Sequence, residues 1–342
     1  MSTNAIEQVM TNQNYLPMNY RSIAHLNKDV RMWSEELPND IDLIVGVPRS
    51  GMLVGNLLAL HLNAALTDVE GLQTGSTLQS GRRLKQTGNV EDYDSIFIVD
   101  DTVNTGGTIN TVKEKINSAR SLDNITYGAV YVSPDGQREV DTFAEIVPNP
   151  RVFEWNLYHH PDLENWCMDM DGVLCRDPTP DENDDGKEYQ TFIKNVEPKI
   201  IPSEEIGAIV TCRLEKYRDE TEKWLSKHGV QYQQLFMMDY ASKKVRQSRG
   251  NYAEYKANVF EQTESQLFIE SSENQASKIA NLTNKCVFCT GTNQMFQPEY
   301  VQQMNSRIKQ SAQTVGSSPS QYARKFCSNP VGFTRQAINY IL

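Results

Sequence analysis

The chain has 342 residues, a formal net charge of −11 and an apolar fraction of 39%. That length exceeds a usual single domain and leaves apolar content for two cores. The acidic excess argues against a nucleic-acid backbone as partner. No apolar run of transmembrane length and no signal-peptide pattern occurs, so a cytoplasmic protein is expected.

In chain order, Asp42-Leu-Ile-Val-Gly-Val-Pro-Arg-Ser-Gly51 reads as a buried strand entering a tight turn, and Met52 to His61 as an apolar helix. Gly71 to Asp92 is polar and long for a connection in a compact domain, and it carries Arg82, Arg83 and Lys85. It suits a lid that excludes water and neutralises a departing anion, or a solvated basic loop. Ile96 to Val99 is β-branched and apolar, the pattern of a central parallel strand. It runs into Asp100-Asp101-Thr102-Val103-Asn104-Thr105-Gly106-Gly107-Thr108, with a helix expected from Ile109.

Glycines and hydroxyls at a helix N-terminus suit a phosphate, because free N–H groups and the helix dipole favour negative charge there. The two aspartates would repel a phosphate. They suit a sugar's vicinal hydroxyls and a divalent cation. Together these features predict a site for a phosphorylated sugar.

The run from Ile96 to Thr108 resembles the phosphoribosyl pyrophosphate (PRPP) signature of the type I phosphoribosyltransferases. The resemblance implies PRPP binding by Asp100, Asp101, Thr102, Asn104, Thr105, Gly106, Gly107 and Thr108. It places Arg49, Ser50 and Gly51, with Val47 and Pro48, in the loop that clasps pyrophosphate, and Arg82, Arg83 and Lys85 near the leaving group. PRPP would bind as a Mg²⁺ complex. Asn104 stands where purine-salvage members carry an Asp that accepts a base proton. An amide cannot be that base, so hypoxanthine and guanine are disfavoured relative to acceptors already anionic: orotate-like bases, carboxylates or phosphates, small or lipid-linked.

Ile125 to Val132 reads as a further parallel strand, and Arg151 to His160 closes this unit. Phe153 and Trp155 lie at strand spacing, which suits packing or contact with the acceptor. His159 and His160 suit a structural or interface role.

A second chemistry begins at Asn165-Trp-Cys-Met-Asp-Met-Asp-Gly-Val-Leu174. This segment resembles motif one of the haloacid dehalogenase-like (HAD) phosphohydrolases, in which one carboxylate attacks phosphorus and another, two residues on, protonates the leaving oxygen. The resemblance implies Asp169 as nucleophile, Asp171 as acid/base, Thr211 as phosphoryl holder at the end of strand 206–211, and a helix through Asp219 to Ser226. Lys256 is implied as the balancing cation, with Lys243 and Lys244 as competitors. Glu270 and Glu273 would join Asp169 and Asp171 as Mg²⁺ ligands, where the family usually has aspartates. The short spacing from Asp171 to Thr211 leaves room for only a minimal cap, which includes the acidic loop Asp177 to Glu188.

The six cysteines read as reduced thiols. Cys286-Val-Phe-Cys289 has metal-like spacing, but it looks like a buried strand and lacks a second pair. The C-terminal stretch from Pro298 is polar until Gln321 to Leu342, where helical apolar spacing suits packing across both domains or self-association as a homodimer.

The expected architecture is α/β with two doubly wound parallel-sheet domains: 1–160 type I phosphoribosyltransferase-like, 161–297 HAD-like with a minimal cap, and 298–342 a helical extension. The expected function is bifunctional: phosphoribosyl transfer from PRPP with pyrophosphate release, and Mg²⁺-dependent phosphomonoester hydrolysis. Two rivals are a PRPP-sensing regulator and a HAD nucleotidase with a non-catalytic PRPP-like domain.

Overall fold

The computed structural model describes residues 18–78, 84, 88–119 and 124–297. Arg82, Arg83 and Lys85, like the stretch 298–342, lie outside the described residues. The described residues divide into two compact units, one from Arg21 to Arg151 and the other from 152 to 297 together with 18–20.

The N-terminal unit opens with helix α1 (Ile23–Ser34), capped by Ser22, whose hydroxyl accepts the His25 N–H. Strand β1 (Leu43–Gly46) leads to α2 (Gly51–Leu62), β2 (Ala65–Asp68) and the short α3 (Val69–Thr74). Then come β3 (Ile96–Val103), α4 (Gly107–Ala119), β4 (Ile125–Val132) and β5 (Thr142–Ile146). The strands form a five-stranded sheet in the order β2-β1-β3-β4-β5, every neighbour parallel.

Residues alternate between the two covered faces of this sheet. Ile96, Ile98, Val45 and Ala129 join one core with Val112 and Ile116 of α4. Phe97 points the other way, edge-on to Trp33 of α1 at 5.6 Å. Gly128 makes room for that pair, since a Cβ there would stand 2.4 Å from the Phe97 ring. The carboxylate-bearing residues are part of the ladder: β3 continues past Val99 to Val103, paired with Val132, instead of ending before Asp100. Helix α4 likewise starts at Gly107, two residues before Ile109.

The C-terminal unit contains β6 (Trp166–Met168), α5 (Lys187–Asn195), β7 (Ile206–Leu214), α6 (Arg218–Lys227), β8 (Tyr232–Met238), α7 (Lys243–Arg249) and α8 (Tyr252–Gln262). It finishes with β9 (Leu267–Glu270), α9 (Glu273–Thr283), β10 (Cys286–Cys289) and β11 (Gln294–Phe296). The sheet order is β8-β7-β6-β9-β10-β11, parallel except for the antiparallel edge strand β11. Met168, Ile209, Leu267 and Ile269 face one core, whereas Cys167, Ala208, Val210 and Phe268 face the other. Burial on both faces accounts for the near-continuous apolar runs of these strands.

The segment after Arg151 is strand only to Phe153 and then a 3-10 turn from Glu154 to His159. Cys286 and Cys289 are buried free thiols in β10. Gly207 sits where a Cβ would meet the Glu164 carbonyl oxygen at 2.2 Å. Backbone cannot yield as a side chain can, so Gly207→Ala should destabilise the chain by about 1–3 kcal/mol, read as a lowered urea midpoint with unchanged slope.

Candidate active sites

In the N-terminal unit the sheet order reverses between β1 and β3. Such switch points leave a crevice at the carboxyl ends of the strands. The two loops that leave β1 and β3 meet there. Val47 donates its N–H to the Val99 carbonyl at 2.9 Å. Ser50 donates its hydroxyl to Asp101 Oδ1 at 2.7 Å. Gly51 lies so close to β3 that a Cβ would stand 2.8 Å from the Val99 oxygen and 2.9 Å from Asp100 Oδ1. Arg49 is exposed at the rim.

Asp100 and Asp101 are both buried, and the Asp101 N–H donates to Asp100 Oδ1 at 2.9 Å. Burial, then the neighbouring Asp101 charge, push the Asp100 carboxyl up from 3.8 to about 8. Arg151 is a buried cation missed in the sequence. Burial pushes its guanidinium down to about 10, and the negative charge of Asp101 opposes that shift. A lone Arg at a strand start carries no sequence signal for such a role.

Beyond β3, Gly106 adopts φ +86°, a left-handed conformation, and turns the chain into α4. Thr105, Gly107 and Thr108 are exposed, and a Cβ on Gly107 would meet nothing within 4 Å. Open space thus surrounds Gly107, the first residue of a thirteen-residue helix whose first N–H groups lack intrahelical partners. Asn104 is exposed, its Oδ1 accepting from Asn149 Nδ2 at 3.2 Å and its carbonyl accepting from Ser133 Oγ at 2.5 Å. Thr102 is half-buried on the strand itself.

In the C-terminal unit the order reverses around β6, and Asp169 follows that strand directly, its N–H donating to the Ile269 carbonyl. Lys256 of α8 donates to Asp169 Oδ2 at 2.7 Å and to Glu270 Oε2 at 2.5 Å. Lys243, by contrast, donates its backbone N–H to Asp185 and its ammonium to the Asn183 carbonyl, and Lys244 is exposed. Burial pushes the Asp169 carboxyl up; Lys256 opposes this and Glu270 adds to it. Lys256 is held charged: burial works against its ammonium, but Asp169 and Glu270 outweigh it.

Asp171 is gripped by Arg213, whose Nη2 reaches Oδ1 at 2.6 Å and whose Nε reaches Oδ2 at 3.0 Å. Arg213 is wholly buried, two residues past Thr211 on β7. Thr211 is buried mid-strand, not at a strand end, and its hydroxyl accepts the Arg213 N–H at 3.2 Å. The Thr-x-Arg alternation on a buried strand was the signal available for Arg213, because only a paired cation is stable there.

The four carboxylates expected to hold Mg²⁺ do not fit it as arranged. Glu270 is fully buried, with Oε1 accepting from Ser271 and Ser272 N–H and Oε2 from Lys256. Asp171 is committed to Arg213, and Glu273 is exposed at the start of α9. A cavity of about 590 Å³ opens over Asp169 and Asp171, lined also by Lys199, Arg246, Tyr252 and Gln275. Neither Glu270 nor Glu273 lines it.

Residues 17–160 match the family model of the phosphoribosyl transferase domain. A xanthine-guanine phosphoribosyltransferase of Chromohalobacter salexigens is 29% identical over 135 residues, covering 39% of this chain and 80% of that protein. An adenine phosphoribosyltransferase of Halothermothrix orenii is 33% identical over 88 residues, 23% of this chain and 52% of its own length. Among solved structures, the purine phosphoribosyltransferase of Pyrococcus horikoshii aligns with a TM-score of 0.31 and 19% identity, over 41% of this chain and 94% of that one. The family match falls on the N-terminal unit with its five-stranded parallel sheet.

Two predictions follow from the charges. Between pH 3.8 and about 8 the folded chain keeps on Asp100 a proton that the unfolded chain has lost, so this group's contribution to stability falls as pH rises through that window. Asp100→Asn should therefore raise the melting temperature above pH 8 and leave it nearly unchanged near pH 4. Arg213→Met strands Asp171 and should destabilise by about 3–5 kcal/mol in urea titrations, a loss that Asp171→Asn in the same chain should partly restore.

Proposed function

We propose that this chain is a two-domain enzyme in which residues 1–160 transfer phosphoribosyl from PRPP and residues 161–297 hydrolyse a phosphomonoester, with 298–342 an extension. The match of residues 17–160 to the phosphoribosyl transferase family supports the first activity. The observation that carries it is the clasp of two loops at one switch point, Ser50 on Asp101, which puts the turn 47–51 beside the acid pair.

In this reading the 5-phosphate rests on the N–H groups and hydroxyls of Thr105 to Thr108. Asp100 and Asp101 take the ribose hydroxyls. Arg49, Ser50 and Gly51 hold the pyrophosphate, with Arg82, Arg83 and Lys85 adding charge as it departs. Mg²⁺ enters with PRPP as part of the substrate. The C1–O bond to pyrophosphate breaks through an oxocarbenium-like state and an acceptor nitrogen or oxygen takes its place, so the protein supplies positioning and leaving-group stabilisation.

The relatives' names specify purine bases, while Asn104 presents an amide whose oxygen is already held by Asn149. Both observations suit a purine-class or similar planar base that arrives with its reacting nitrogen deprotonated. Xanthine or orotate should release pyrophosphate about 100-fold faster than hypoxanthine or guanine, the usual scale of a missing general base. Asn104→Asp should narrow that gap. Equal rates for all four bases would exclude this role for Asn104.

The strand order β8-β7-β6-β9-β10, with Asp169-x-Asp171 at the end of the central strand and Lys256 on Asp169, supports the HAD-like reading of the second unit. Asp169 would attack phosphorus as the ester P–O bond breaks, and Asp171, positioned by Arg213, would relay a proton from a cavity water to the leaving oxygen. Water would then free the aspartate. The economical substrate is the 5-phosphate of the ribosylated product, making the net reaction a ribosyl transfer. Wild-type protein given PRPP, Mg²⁺ and acceptor should release pyrophosphate and then phosphate. Asp100→Ala/Asp101→Ala should abolish both, and Asp169→Asn only the second. Phosphate release that survives loss of the acid pair would instead favour a stand-alone phosphatase.

A further inference from the structure

The cations around the second unit's cavity differ in one respect. Arg213 is neutralised by Asp171, Lys256 by Asp169 and Glu270, and Arg176 by Glu182, which accepts two bonds at 2.6 and 2.7 Å. Lys199 gives its ammonium to the Gly172 carbonyl at 2.6 Å. Neither Lys199 nor Arg246 has a carboxylate within ion-pair distance among the described residues, but of the two only Arg246 leaves a buried donor unmatched. One guanidinium nitrogen donates to the Cys212 carbonyl, while Nε is buried and meets no acceptor. Its charged group lies 5.8 Å from the centre of the Tyr252 ring, and both side chains line the cavity.

Arg246 is also fixed in place. Helix α7 starts at Ser242, whose hydroxyl caps it, and Asp185 accepts the Lys243 N–H at 2.9 Å. Asp185 itself is tied to Lys216 at 2.9 Å and to the Tyr217 hydroxyl at 3.1 Å. The bond to Cys212 sets the guanidinium beside the residue that follows Thr211. Arg246, Cys212, Lys256 and Asp169 all line the same cavity. A guanidinium with an unmatched donor, lining the same water-accessible cavity as Asp169, suits a phosphate oxygen: planar N–H donors match it and no carboxylate cancels the charge.

We propose that Arg246 is the phosphate-binding cation of this cavity, receiving the phosphoryl group of a phosphomonoester in the orientation that faces Asp169. This deepens, and rests on, the phosphomonoesterase reading of the second unit. Because the acid set does not fit Mg²⁺ as arranged, Arg246 supplies positive charge that the engaged carboxylates cannot recruit through a metal.

Inorganic phosphate is the probe, and hydrogen-exchange mass spectrometry of the full chain is the readout. It resolves the second unit's loops separately from any phosphate held in the first. Phosphate should slow exchange in the segments 169–177 and 271–275. Arg246→Gln should move the midpoint of that protection to at least tenfold higher phosphate, with Arg246→Lys between. Arg249→Gln, on the same helix but outside the cavity lining, should leave it in place. Protection that is absent in the wild type, or unaltered by Arg246→Gln, would overturn the assignment. Arg246-dependent protection in a protein that hydrolyses no phosphomonoester, such as p-nitrophenyl phosphate, would preserve the phosphate site and refute the phosphatase reading.

Discussion

Carboxylates buried at the ends of central parallel strands are the constraint on which both sites depend. An ionised carboxylate out of water is strongly disfavoured unless hydrogen bonds or a cation meet it. The two units answer this in different ways. In the first, Asp100 receives the Asp101 N–H, Asp101 receives the Ser50 hydroxyl and feels the buried Arg151 charge, and the residual repulsion appears as a raised Asp100 carboxyl. In the second, each acid meets a buried cation: Lys256 bridges Asp169 and Glu270, and Arg213 grips Asp171.

The difference has chemical consequences. In the proposed transfer, the first pair would meet a polyhydroxylated, metal-bearing substrate, with open space around Gly107 at the start of the following helix. A set already matched to Lys256 and Arg213 is rigid and preorganised, with little ligand capacity left over. In the proposed phosphatase, charge for the phosphoryl group would come from elsewhere in the cavity wall. Arg246, anchored through α7 and the Asp185 clasp, is the residue so placed.

Close backbone approach is the second common element. Gly51 against β3 in one unit and Gly172 in the other bring loops nearer than any side chain allows. At Gly172, φ is +83° and a Cβ would stand 2.2 Å from Ser271 Oγ. Sites built on strand ends with such contacts are held by the ladder and not by the loop alone. This accounts for both acid pairs sitting at or inside the sheet margin.

The sequence by itself determined the strands Leu43–Gly46, Ile96–Val99 and Ile206–Val210, because buried parallel strands must be apolar on both faces. It also displayed the two aspartate pairs and the glycine-hydroxyl loop, whose places at the ends of central strands the fold then supplied. Strand ends were less legible. Asp100 to Val103 and Cys212 to Leu214 lie beyond the strand ends read from the sequence, yet both stretches pair within the sheets because neighbouring strands supply the hydrogen bonds. Only tertiary structure decided which lysine touches Asp169, since Lys243, Lys244 and Lys256 are equivalent as letters and differ in where α7 and α8 carry them. It alone brought Arg213 onto Asp171, committed Glu270 to Lys256 and left Arg246 without a carboxylate, because ion pairing depends on distances between elements far apart in the chain.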